Sequence, residues 1–177
     1  KVVLPPFKPR RTEEEIRKEC PWATTGRFGG RKPNIITSLE LRSEEMEIIN
    51  LRIQEKYKKI EESEVRFEEY MLDDAEYAIV AFGSAARIAK KSIEIARSQG
   101  IKVGLLRPIT LWPFPTKEVQ KLGEKMKGIL SLEINAGQMV EDIRLAVAGR
   151  VPVQHFGRLG GIIPDPDEVV DAIKRLF

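Results

Sequence analysis

The chain has 177 residues, 42% of them hydrophobic, and 30 Lys and Arg against 27 Asp and Glu give a formal net charge of +3. That size is enough for one domain with appendages and a full core, while no apolar run approaches a membrane span and nothing resembles a signal peptide. The one cysteine, Cys20, excludes an internal disulfide framework and an all-cysteine metal site, and it suits a reducing cytoplasm.

Charges of both signs are interspersed, and no run joins dense Lys and Arg to stacking aromatics. We read this as a solvated surface, not a nucleic-acid footprint, and expect neither a nucleic-acid nor a membrane partner. The richness in Lys, Arg, Glu and Ile with a single His leans toward a thermophile composition. The sequence starts at Lys1 without Met, as a piece of a longer polypeptide would.

Residues 1–42 read as an irregular arm or linker. Pro5, Pro6, Pro9, Pro21, Gly26, Gly29, Gly30 and Pro33 interrupt it too often for long elements. Thr12 and Glu15 form a possible capping box for a short helix from Thr12 to Glu19. Arg10, Arg11, Arg17, Lys18, Arg27, Arg31 and Lys32 make the arm basic. It either lies on a partner or wanders in solvent.

Residues 43–63 read as a long amphipathic helix capped by Ser43, with Glu44, Glu45 and Glu47 in its first turn. Met46, Ile49, Ile53, Tyr57 and Ile60 form one apolar stripe, expected to pack on the sheet domain or on a neighbouring subunit. Residues 64–177 read as the α/β domain. Glu64 to Leu72 alternates weakly and reads as an edge strand, with continuation of the helix as the alternative.

The central strand is Tyr77 to Phe82, an unbroken apolar run buried on both faces. Gly83 allows a tight turn, Ser84 is the expected N-cap, and the next helix directs Ile88, Ile93, Ile95 and Ala96 to a core before ending at Gly100. Ile101 to Leu106 is the following strand. Pro108, Pro113 and Pro115 then bar a helix or central strand from Arg107 to Pro115. Thr116 is expected to cap a helix to Met126. Gly128 to Ile134 and Val151 to Phe156 are further strands, Gln138 to Ala148 a helix, and Asp165-Pro166-Asp167 the start of the last helix. Four βα units and an edge strand predict a three-layer α/β/α fold with a mostly parallel sheet.

Ligands of open α/β sheets sit beyond the carboxyl ends of the strands. Those ends are Gly83-Ser84, Arg107-Pro108, Asn135-Ala136-Gly137 and Gly157 to Gly161. Gly83-Ser84 is either a phosphate-binding helix start or a plain capped turn; no GxGxxG and no Walker lysine accompany it. Arg158 in its glycine-rich loop suits an anion clamp or a mobile βα loop. His155 reads as a half-buried structural histidine, and Cys20 has no base beside it. The remaining acids read as solvated helix faces. Trp112-Pro113-Phe114-Pro115 is a rigid aromatic loop that either anchors a partner or caps the domain's own core.

Four stretches carry a resemblance. Ala81 to Pro115 (AFGSAARIAKKSIEIARSQGIKVGLLRPITLWPFP), Pro21 to Leu41 (PWATTGR…GRKPNIITSLEL) and Gly157 to Val169 (GRLGGIIPDPDEV), with the helix ending Asn50 to Met71, resemble the alpha subunit of 2-oxoacid:ferredoxin oxidoreductases. The match falls on its second domain, which is similar to the transketolase C-terminal domain. The 2-oxoisovalerate type looks nearest, followed by the 2-oxoglutarate and pyruvate types. The resemblance implies a five-stranded mixed sheet with an antiparallel first strand. It implies that the intact enzyme converts a 2-oxoacid and coenzyme A to acyl-CoA and reduces ferredoxin, with thiamine diphosphate, Mg and iron–sulfur clusters. This chain has no CxxC run and no diphosphate–Mg motif. Those cofactors are therefore expected elsewhere in the complex, on the preceding domain and on beta-, gamma- and delta-type subunits. No catalytic, cofactor-binding or metal-binding residue is assigned here. A stand-alone nucleotide- or small-molecule-binding module is the alternative reading.

Overall fold

The structure, a computed structural model, describes residues 4–24, 26–35 and 37–176. Parts of the expected arm (1–3, 25 and 36) and Phe177 lie outside the described residues. The chain divides into two units, Lys1–Ile48 and Ile49–Phe177.

The first unit holds α1 (Glu13–Glu19), a 3-10 turn at Phe28–Gly30 and the start of α2 (Ser43–Ser63). The capping box at α1 is present: Thr12 Oγ1 accepts from Glu15 N–H, and the Glu15 carboxylate accepts from Thr12 N–H. No described residue from Leu4 to Leu41 is buried. Ser43 is the first helical residue of α2 and not its cap, because Met46 N–H already bonds to the carbonyl of Arg42 at 3.0 Å. None of the stripe on α2 is fully buried.

The second unit is built on a five-stranded sheet. β1 (Phe67–Tyr70), β2 (Tyr77–Ala81), β3 (Val103–Pro108), β4 (Gly128–Glu133) and β5 (Val153–Gly157) lie in the order β1-β3-β2-β4-β5. β1 is antiparallel to β3, and every other pair is parallel. The strands alternate with α3 (Gly83–Ser98), α4 (Thr116–Lys125), α5 (Met139–Val147) and α6 (Pro166–Lys174). α3 and α6 pack together, as do α4 and α5. Side chains from alternate strand positions feed two cores. One holds Ile79, Ile93, Leu105, Leu130, Leu132, Val169 and Ile173; the other holds Val80, Leu106, Val119, Ile129, Met139 and Ile143. Each such side chain contributes about 1.5–3 kcal/mol by leaving water.

Further boundaries differ from the sequence reading for local reasons. Ser84 is not the α3 cap: Phe82 is extended and occupies the N-cap, Ala86 N–H bonds its carbonyl, and Gly83 enters the helix at φ +55°. α4 is likewise preceded by Pro115 at its N-cap, so Thr116 is its first residue and makes no cap bond. β3 runs on through Arg107 and Pro108, the start of the stretch from which the prolines were expected to bar a helix or central strand. Its register with β2 stops at Leu106, and only β1 accompanies it further, so Pro108 sits at a strand end that needs no second partner.

The same strand starts late because Ile101 N–H is committed to the carbonyl of Ala96, while Gly100 N–H bonds Arg97; this pair closes α3 with Gly100 at φ +83°. The link from β1 to β2 passes closely over β3. A methyl group at Gly104 would stand 2.4 Å from the Met71 carbonyl oxygen. Arg97 fastens that link, donating to the carbonyls of Met71 at 2.7 Å and Val103 at 2.8 Å and pairing with Asp74.

Candidate functional site

The order of strands reverses direction between β2 and β4, which makes their carboxyl ends the switch point of the sheet. Gly83 and Ser84 are exposed at the end of β2. At the end of β4 lies a carboxylate, Glu133, to which the sequence reading gave no role inside the expected strand Gly128 to Ile134. Glu133 is 0% exposed. Its carboxylate accepts from the backbone N–H groups of Gln138 (3.1 Å), Met139 (2.9 Å) and Val140 (3.0 Å), and from the Ser131 hydroxyl (2.8 Å). It therefore caps α5 from the strand that precedes it, satisfying amides that Gln138, whose side chain makes no cap bond, leaves open.

Burial is the largest single influence on this carboxyl and pushes its pKa up. The bonds from Met139, Ser131, Gln138 and Asn135 together outweigh it and hold the group below the ordinary value of 4.5. The arrangement is that of a fixed structural anion. A detectable signal did exist in the sequence: an acid inside an apolar run, followed by Asn-Ala-Gly and then a helix.

His155 lies across from Ser131 in the β4–β5 register, with Nε2 3.9 Å from Glu133 Oε1. Nε2 is buried and has no hydrogen-bond partner. The ring lies against Gly137 and Gly157, where an added methyl would come within 3.3 Å and 2.7 Å of it. Gly157 is thus glycine for space, and the half-buried reading of His155 matches its 21% side-chain exposure. Arg158 does not stand free as an anion clamp: Nη2 pairs at 3.0 Å with Glu168, the acid of the α6 capping box. Arg107 at the end of β3 is bound to Glu68, which Lys90 also contacts; these bonds, Lys90 first, hold the Glu68 carboxyl below its ordinary value. The strand ends therefore bring no nucleophile and general base together. Cys20 lies in the other unit.

What this edge does display is apolar surface. Phe67, Ile109, Leu111 and Trp112 are exposed around the end of β3, and Leu159, Ile162 and Ile163 after β5. Elsewhere from residue 64 to 176, the exposed large apolar side chains are Met71 and Leu145. The aromatic loop divides its two roles. Trp112 is 54% exposed and meets the edge of Tyr57 at a centroid distance of 5.3 Å, whereas Phe114 turns inward onto the second core. A cleft of about 760 Å³ opens beside them, lined in part by Lys58, Val65, Phe67 and Trp112.

Among the described residues, no group of three His, Cys, Asp or Glu is placed to hold a metal ion. With one cysteine, the donor set does not fit an iron–sulfur cluster, and no carboxylate cluster fits a diphosphate–Mg pair. Among the described residues, no helix is long and apolar enough to cross a membrane.

A five-stranded sheet of this order, with one antiparallel edge strand and helices on both faces, defines a transketolase C-terminal-like α/β domain. A solved structure titled split gene transketolase, inactive beta4 tetramer, overlays 63% of this chain and 41% of its own at TM-score 0.54 and 14% identity. The family described as pyruvate:ferredoxin oxidoreductase core domain II matches residues 75–169. The ketoisovalerate oxidoreductase subunit VorB of Methanothermobacter thermautotrophicus is 43% identical over 92% of this chain and 46% of its own length. The 2-oxoglutarate:ferredoxin oxidoreductase from Magnetococcus marinus, solved with 2-oxoglutarate, coenzyme A and succinyl-CoA bound, shares the fold at TM-score 0.70 and 21% identity, over 87% of this chain and 28% of its own. The chain belongs to the 2-oxoacid:ferredoxin oxidoreductase family. It spans about half the length of the curated relative it matches.

Proposed function

We propose that the chain serves as an interface domain within the alpha subunit of a thiamine-diphosphate-dependent 2-oxoacid:ferredoxin oxidoreductase of the cytoplasm. The supporting observation is the carboxyl edge of the sheet. Where an open α/β sheet would seat a ligand, this one shows Ile109, Leu111, Trp112, Leu159, Ile162 and Ile163 and no reactive set. The substrate assigned is a branched-chain 2-oxoacid such as 2-oxoisovalerate, in line with the name of the VorB relative. Thiamine diphosphate, Mg and the iron–sulfur clusters belong elsewhere in the complex, on the preceding alpha domain and the other subunits, and ferredoxin takes the electrons from the complex.

The test is co-expression with those subunits and assay of coenzyme A-dependent reduction of a viologen dye by 2-oxoisovalerate. The chain alone is expected to be inactive, and Leu111→Asp to block co-purification. Turnover by the isolated chain would overturn the proposal. A melting shift with coenzyme A or nucleotides would favour a stand-alone binding module instead, since a ligand at 100 times its Kd adds about 2.7 kcal/mol.

A further inference from the structure

The first unit contains one internally fastened turn. Arg31 donates Nε to the Gly26 carbonyl at 3.0 Å, Nη1 to Pro21 at 2.6 Å, and Nη2 to Ala23. Asn34 Nδ2 adds a bond to Pro21 at 3.2 Å, and Ala23 N–H bonds the Cys20 carbonyl. One guanidinium thus gathers three carbonyls of a ten-residue loop, a use that its planar fork permits and a lysine would not.

The tied turn holds Trp22 outward at 62% exposure. From Cys20 to Leu39 the charged residues are Arg27, Arg31 and Lys32, with no acid. Arg27 and Lys32 are exposed. A rigid aromatic on a preorganised loop suits anchoring, because little side-chain and loop freedom remains to be lost on binding. The exposed cations beside it, Arg27 and Lys32, point to an acidic rim on the other side by charge complementarity.

We infer that the Arg31-tied turn is a docking element whose Trp22 enters an apolar socket rimmed by carboxylates on another polypeptide of the enzyme. The inference rests on the assembly reading above and adds the element and the chemistry of its receptor. Positive charge and one tryptophan do not select nucleic acid here, because the turn offers a single ring and no series of stacking platforms.

The experiment uses the chain co-expressed with its partner subunits. Trp112→Phe, used once it is shown to co-purify with the subunits as the unaltered chain does, leaves Trp22 as the only tryptophan of this chain. Its emission is expected to shift to the blue on assembly and to lose iodide quenching. Trp22→Ala should weaken association by at least about tenfold. The double charge reversal Arg27→Glu with Lys32→Glu should do so in low salt far more than in high salt. Arg31→Lys, which keeps the charge and loses the fork, should weaken association with Trp22 intact.

Unchanged Trp22 emission and unchanged affinity of Trp22→Ala would overturn the inference, while loss of assembly by Leu111→Asp in the same series would leave the assembly reading standing. A blue shift caused by oligonucleotide and not by the subunits would also overturn it. Failure of the unaltered chain to assemble at all would remove both.

Discussion

The two units of this chain solve the problem of local order in different ways. From residue 64 onward, ordered elements are fixed by burial: two apolar cores flank the sheet, and even the acid at the end of β4 is inside. In the first unit, order rests on polar bonds alone, with the Thr12–Glu15 box and the Arg31 knot but no buried residue from Leu4 to Leu41 among those described. Hydrogen bonds exposed to water contribute little net stability, whereas a core supplies most of it. The contrast teaches that the sheet domain carries its own core, while the order of the arm rests on local polar bonds.

The largest break of this contrast comes from the cores. Ile93→Ala, at a site with no exposure, is expected to cost about 2–5 kcal/mol and to lower the urea midpoint of the whole sheet domain. Glu133→Gln follows, at about 3 kcal/mol, since an amide cannot accept all the bonds that Gln138, Met139, Val140 and Ser131 donate. Its pH signature is specific. The folded carboxyl sits below 4.5, so its contribution is full above that pH and is lost as pH falls through the lower folded value. The stability gap between wild type and Glu133→Gln should therefore narrow in urea titrations below pH 4.5; a constant gap would refute the role.

Gly104→Ala ranks third, at about 1–3 kcal/mol, because the methyl meets the Met71 backbone, which cannot swing aside, as well as the Leu72 side chain. The smallest effect sharpens the comparison from the other side. Thr12→Ala removes a cap worth about 1 kcal/mol locally and should leave the melting of the sheet domain unchanged. A coupled drop in that melting would show that the two units stabilise each other.

Much of the sheet was legible because buried parallel strands write themselves as apolar runs, as Tyr77–Ala81 and Gly128–Glu133 do. The weak alternation of Glu64 to Leu72 gave an edge strand, realised as Phe67–Tyr70, while its antiparallel direction came from the family resemblance. Caps were legible only where two residues act together. Thr12 with Glu15 and Asp165 with Glu168 form reciprocal boxes, whereas Ser43 and Thr116 missed the cap by one position and Ser84 by two. A single hydroxyl carries no record of the dihedral angles that decide the role. Glu133 escaped notice because its partners are backbone amides five to seven residues ahead, which any sequence supplies. The apolar carboxyl edge was partly visible in Trp112, but its extent depends on loops from β3 and β5 projecting from the same side.

The four residues of β1 have a practical bearing on how this domain is handled. They shield one flank of β3, whose peptide groups from Leu105 to Pro108 face them. A version shortened to begin after Tyr70 would leave that flank bare and ready to recruit the same flank of another molecule, so its first failure should be filament growth and not simple melting.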